Sequence, residues 1–332
     1  MENTVLIKVD QLGIPGVKWQ SGKVRDWVDV GLGQRLIVST DRISAFDLVL
    51  PSGVPGKGRV LNRLSLFWRN YFWEKFPEVG SDLVSATDET CSAYLGVLTP
   101  EQKEVLVGRM MLVRKVLVVP AEAVVRGYAS GSIWDKYAWT RARYPSNKVH
   151  VWDHELPFDL EESGELLEPI FTPTTKAPQG EHDMPLRFSE MEMHIETWLE
   201  KHPEIQRKTN ASIISKTIRS ASLDYYKSAR AYAQNCGIII ADTKLEFGID
   251  PITGELCLID EVFTPDSSRF WSAAFYKPGC GQSSFDKQPV RDWLVDSGWN
   301  KQPPAPVLPQ EVVQATINRY LQVFKMLTGR KL

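Results

Sequence analysis

The residues of this chain most suggestive of chemistry are Asp242, Lys244 and Glu246, set at alternate positions in Ala-Asp-Thr-Lys-Leu-Glu-Phe-Gly. Successive side chains on a β-strand point to opposite faces, so these three share one face and Thr243, Leu245 and Phe247 share the other. A second short apolar block leads into Asp260-Glu261, and Asp250-Pro251 with Gly254 supplies the reversal between the two blocks. If the blocks close as a hairpin, Asp260 or Glu261 returns beside the charged face, and a one-residue slip in register exchanges which of them does. Carboxylates gathered around one ammonium repel unless a cation stands among them, and an all-oxygen set suits a hard ion such as Mg²⁺. The same spacing also fits a solvated two-stranded ribbon whose charges pair across the strands.

Other stretches carry phosphate-binding chemistry. In Gly22-Lys23-Val24-Arg25-Asp26 a lysine stands beside a glycine at the start of a hairpin, where it can hold phosphate oxygens or simply be solvated. Neither this stretch nor Gly53-Val54-Pro55-Gly56-Lys57-Gly58 has the spacing of a Walker A loop. Val124-Val125-Arg126-Gly127-Tyr128 enters a turn of small residues, Ala129-Ser130-Gly131-Ser132, which leaves backbone N–H groups able to face an anion. Arg126 adds a planar fork suited to carboxylate or phosphate. Three prolines keep residues 168–178 extended, and the polar Gly180-Glu181-His182-Asp183 follows.

The elements that must position these groups follow from periodicity and punctuation. Residues 23–30 and 35–40 are predicted to pair through Gly31-Leu32-Gly33, with Asp41 opening a polar loop. Helical spacing of Val60, Leu61, Leu64, Phe67, Trp68, Tyr71 and Phe72 predicts an amphipathic helix over 59–76. A buried strand over 110–119 is expected to stop at Pro120, which marks the boundary between domains. Ser189-Glu190-Met191-Glu192 reads as a capping box opening a helix to about residue 201. A longer helix over 211–236 stops at Gly237, with Tyr225 and Tyr226 assigned to its core side. A short amphipathic segment begins at 284–293, and a proline-rich linker over 302–309 leads to a closing helix over 310–327 ended by Gly329.

Composition narrows the function further. With 332 residues the chain has room for two domains, each with a core of its own. A net charge of −2 and the lack of a polybasic run argue against nucleic acid or an anionic membrane as partner. The amino-terminal residues lack the pattern of a signal peptide. Cys91, Cys236, Cys257 and Cys280 show no C-x-x-C pair, which is consistent with reduced thiols. His150 and His154 lack a helical metal-site context and are read as surface histidines.

Asp-Thr-Lys-Leu-Glu-Phe-Gly, followed by Asp-Glu-Val-Phe-Thr-Pro-Asp-Ser-Ser-Arg-Phe-Trp, strongly resembles the signature region of the SAICAR synthetase family of purine biosynthesis. The Gly-Lys-Val-Arg-Asp hairpin, Asp41-Arg42-Ile43-Ser44-Ala45-Phe46-Asp47, Val-Val-Arg-Gly-Tyr with Gly-Ser, the proline-rich loop and Asp286-Lys287-Gln288 with Arg291 resemble further family motifs in the same order. The resemblance implies a two-lobed α+β fold. An amino-terminal antiparallel-sheet lobe, residues 1–118, would bind ATP, and a larger α+β lobe, residues 119–332, would bind substrate and metal. The implied reaction joins L-aspartate to the carboxylate of an aminoimidazole carboxylate ribonucleotide (CAIR) through an acyl phosphate.

On that resemblance Lys23 and Arg25 bind ATP, Glu246 and Asp260 hold Mg²⁺ and nucleotide, and Lys244 meets the charge developed in phosphoryl transfer. Asp242 contacts the imidazole substrate. Arg126, Ser132 and Arg269 hold the ribonucleotide, with Lys287 and Arg291 as further phosphate contacts. No residue is assigned to aspartate. The chain is longer than compact bacterial members around 138–165 and 296–310, like eukaryotic and fungal forms, which suggests a monomer; a cytoplasmic enzyme is expected. A small-molecule kinase with the same ATP and Mg²⁺ groups, and a nonenzymatic nucleotide sensor, are the competing readings.

Overall fold

The structure is a computed structural model that describes residues 5–46, 48–144, 147–177 and 182–332. Asp47, Pro178, Gly180 and Glu181, all within the stretches singled out above, lie outside these. The fold is mixed α+β and divides into two compact units, one of residues 1–116, 264–266 and 285–332, the other of residues 117–263 and 267–284. The division departs from the expected split into 1–118 and 119–332. The closing helix, expected in the second lobe, groups with the first unit because its apolar face packs on helix Lys57–Trp73.

In the first unit an antiparallel sheet runs in the order Gln20–Ser21, Arg25–Gly31, Gln34–Ser39, Met110–Arg114, Leu83–Ser85. The first long hairpin turns through Gly31, Leu32 and Gly33, all with positive φ. Leu36, Val38, Met110 and Leu112 point from the sheet into a core shared with Leu6, Val9 and Leu106. Beside that core lies Asp41, fully buried, whose carboxylate takes a two-pronged ion pair from Arg109 at 2.7 and 2.8 Å. It also accepts the backbone N–H groups of Leu6 and Gly58, each at 3.0 Å. Glycine is required at 58, since a Cβ there would stand 2.3 Å from the Ser39 carbonyl oxygen.

In the second unit the sheet order is Glu165–Phe171, Leu117–Tyr128, Ile238–Ile249, Leu256–Ile259. Thr174–Thr175 adds to the Leu117–Tyr128 strand and Ser268–Ser272 to the central Ile238–Ile249 strand. Helix Ala211–Asn235 packs on this sheet, with Tyr225 and Tyr226 at 1% and 0% exposure, as expected of core residues. Pro120 does not end its strand. It sits where the register with the central strand shifts, a place where a missing N–H breaks no ladder bond, and the strand continues to Tyr128.

Two further expectations are corrected. Helix Phe188–Leu199 is capped at Arg187 and not at Ser189, because Glu190 reaches back to the Arg187 N–H at 2.6 Å. The block from Leu256 to Trp271, which follows the ribbon turn and reads from sequence as a single strand, is broken in two. It is Leu256–Ile259, an irregular stretch beginning at Asp260 with φ of 60°, and then Ser268–Ser272.

The buried Asp41–Arg109 pair makes a sharp stability test. Asp41→Ala leaves the buried Arg109 charge uncompensated and two N–H groups without their acceptor, and urea denaturation is expected to show a loss of about 3–5 kcal/mol.

Candidate active site

The second unit gathers most of the suspected residues on three neighbouring strands. Asp242 on the central strand faces Arg126 across one edge and Arg269 across the other. Both guanidiniums donate to the same carboxylate oxygen, Asp242 Oδ2, Arg126 at 3.1 Å. Arg126 also donates from Nε to Thr172 Oγ1 at 2.9 Å and from Nη2 to Ser132 Oγ at 3.1 Å. Burial lowers the proton affinity of Arg126, an effect Asp242 opposes.

Local backbone features make this meeting possible. The register between the central strand and Ser268–Ser272 shifts between Ile240 and Asp242, and the Tyr226 hydroxyl donates to the Ile240 carbonyl there at 2.6 Å. Gly127 leaves room for that hydroxyl, because a Cβ would lie 2.1 Å from it. Gly131, with φ of 60°, similarly leaves room for Arg269, whose Nη2 a Cβ would approach to 2.5 Å. Thr243 and Ser268 hydroxyls, 2.8 Å apart, tie the two strands beside it.

Further along the same strand, Lys244 donates to Glu122 at 2.6 Å and lies 3.8 Å from Glu246, while Lys176 donates to the other oxygen of Glu246. Burial works against the Lys244 charge, but Glu122, Glu246 and Asp260 outweigh it and raise its pKa. The Glu122 carboxyl is pushed up by burial, with Lys244 opposing. Glu246 pairs directly with Ile259, so strict alternation would put Glu261 on its face; the left-handed turn at Asp260 ends that alternation. Asp260 adds to the carboxylate charge that Glu122 and Glu246 set around Lys244.

Among the described residues no three His, Cys, Asp or Glu side chains are grouped to enclose a metal ion by themselves. Glu246 with Asp260 is nevertheless an oxygen set that fits Mg²⁺ as it is commonly held, by one or two carboxylates with phosphate oxygens completing the shell.

The other suspected residues belong to the first unit. Lys23 lies in, and Arg25 closes, a tight turn in which Gly22 N–H donates to the Arg25 carbonyl at 2.8 Å. Arg42 supports the turn from below, reaching the carbonyls of Lys23 at 3.0 Å and Gly22 at 3.1 Å and pairing with Asp26 at 2.7 Å. Arg291 lies 3.5 Å from Asp286. Lys287 is held below the usual lysine range by burial, with Asp266 opposing. Asp266 itself takes Lys57 at 2.6 Å and the Tyr320 hydroxyl at 2.6 Å. Burial would raise its pKa, but Lys57 and Lys287 prevail and place it well below the carboxylate range.

Three participants were missed as site residues. Glu122 is the one acidic residue in a mostly apolar strand that also carries Arg126, Lys176 lies in the proline-rich loop, and Asp266 lies inside the signature. Only for Glu122 did the sequence carry a signal, an acidic residue interrupting a core-like run.

The sequence profile of SAICAR synthetase matches residues 18–306, most of the chain. The chain belongs to the SAICAR synthetase family. A phosphoribosylaminoimidazole-succinocarboxamide synthase of Thermodesulfovibrio yellowstonii is 43% identical over 99% of this chain and the whole of that protein. One of Desulforapulum autotrophicum is 44% identical over 94% of the chain and 95% of its own length. Among solved structures, the SAICAR synthase of Saccharomyces cerevisiae complexed with SAICAR superposes with a TM-score of 0.80 at 36% identity, covering 96% of this chain and 97% of that one. The two bacterial SAICAR synthetase relatives span the same length, so the longer form is not confined to eukaryotic-type members.

Acid titration tests the Asp266 cluster. A carboxyl whose pKa is lower folded than unfolded contributes stability in full above the unfolded pKa of about 4 and loses it as pH falls through the folded value. The difference in Tm between wild type and Asp266→Asn is therefore expected to be constant from pH 7 to about 5 and to narrow toward pH 2, as read by calorimetry.

Proposed function

We propose that this protein is an ATP-dependent ligase that joins L-aspartate to the carboxylate of CAIR, releasing SAICAR, ADP and phosphate. The observation that carries this reading is the central strand of a SAICAR synthetase family member, with Asp242 between two guanidiniums and Lys244 and Glu246 following on the same face. The complex of the yeast relative with SAICAR supports the product.

An amine cannot convert a carboxylate to an amide directly, because the group it would have to displace is oxide. Transfer of the γ-phosphoryl group of ATP to the CAIR carboxylate gives an acyl phosphate and ADP. The aspartate amine then attacks the acyl carbon, the C–N bond forms, phosphate leaves with the electrons of the C–O bond, and the proton lost from nitrogen goes to the departing phosphate. Such a sequence asks for positioning and charge neutralisation more than for a protein nucleophile.

In this reading Lys23 and Arg25 hold ATP phosphates, and Lys244 donates to the oxygens of the group in transfer. Arg126, Ser132, Arg269, Lys287 and Arg291 hold the ribonucleotide, and Asp242 contacts its imidazole while keeping Arg126 and Arg269 aligned. Mg²⁺, held by Glu246 and Asp260 together with phosphate oxygens, would neutralise charge on those phosphates. No helix among the described residues is long and apolar enough to cross a membrane. We place the enzyme in the cytoplasm, acting as a monomer, which light scattering tests directly.

Purified protein given ATP, Mg²⁺ and CAIR is expected to make SAICAR only when L-aspartate is added, with ADP and product followed by chromatography. Glu246→Ala and Lys244→Met should each lower the rate by about 100-fold or more. ADP formed equally well without aspartate, and without amide, would make the protein a kinase; tight ATP binding with no turnover would make it a sensor.

A further inference from the structure

One arrangement in the second unit is not explained by packing. Glu122 stands directly opposite Glu246 across two strands, and the two residues are only 5% and 8% exposed. Like charges in that relation weaken a sheet, and a β-branched residue at 122 would serve the sheet better. Lys244 is registered opposite Val124, yet its ammonium leans diagonally to Glu122 Oε1 at 2.6 Å and stays 3.8 Å from Glu246 Oε1. The second oxygen of Glu122 accepts the Thr174 hydroxyl at 3.3 Å, which fixes the carboxylate on its far side.

We propose that Glu122 is a positioning residue for Lys244, drawing the ammonium away from Glu246 and fixing where on the charged face it stands. A lysine is a point charge on a flexible stem, so its position is only as definite as its partner. With Glu122 neutral, the nearest carboxylate is Glu246, and the ammonium relaxes toward it and off the line of the transferring group. Glu122 thus acts through Lys244 and touches no reacting atom. The inference rests on the role given to Lys244 in the proposed ligase.

The test is Glu122→Gln, Lys244→Met and the double variant, assayed for kcat, for KM of each substrate and for Tm. Glu122→Gln removes the opposed charges while keeping shape, so Tm is expected to hold or rise, while kcat falls about 10- to 100-fold with KM values little changed. The double variant should be no slower than Lys244→Met alone, because both changes act through one group. Should Glu122→Gln not fold, Glu122→Asp, which keeps the charge but withdraws it by a methylene, is expected to show the same pattern in smaller degree. Wild-type kcat in Glu122→Gln, or a Tm that falls in step with activity, would overturn the positioning role. If Lys244→Met itself keeps wild-type activity, the role of Lys244 in the ligase fails first, and the two failures are thereby told apart.

Discussion

A buried carboxylate shared by two guanidiniums is the constraint on which the second unit depends. Bringing Asp242 and Arg126 out of water is costly, while Arg269 stays partly exposed, and the cost falls as more of the buried donors find acceptors. Thr172 and Ser132 each take one further N–H of Arg126. The surrounding backbone is shaped accordingly, with glycine at 127 and 131 where side chains of Tyr226 and Arg269 come too close for a Cβ. A planar fork is wanted at both flanks, because a lysine ammonium would give charge without a fixed direction.

Beyond Asp242 the same strand face carries charges of alternating sign, Lys176 with Glu246 and Lys244 with Glu122. Such a row holds its members apart at definite places while keeping the net charge near balance. In the proposed ligase this row is the surface that would meet phosphate oxygens and a cation. The first unit uses buried arginines differently. Arg42 and Arg109 hold loops together by gathering backbone carbonyls and a carboxylate, which serves to make the Lys23 turn and the Asp41 region rigid.

Much of this was legible because it rests on local rules. Alternation placed Asp242, Lys244 and Glu246 on one face, helical spacing located the helices around Trp68 and Tyr225, and Gly237 and Gly329 marked helix ends. Ends decided by distant partners were not legible. Pro120 looked like a stop because a proline lacks an N–H, but the register shift opposite it removes the need for one. Ser189 looked like a cap, and lost that role to Arg187 through the reach of Glu190. The grouping of residues 285–332 with the first unit follows from which apolar faces meet, and a linear pattern does not contain that information.

By itself the sequence determined the family, the α+β class and the chemical types at the site, since ordered motifs and strand alternation are properties of the chain taken a few residues at a time. Tertiary structure decided which charges meet: that Arg126 and Arg269 share one oxygen of Asp242, that Glu122 faces Glu246 and takes Lys244, and that Asp266 joins Lys57 and Tyr320. The reason is that an ion pair depends on distances of a few ångströms between residues separated by tens to hundreds of positions, and those distances are set by strand register and core packing.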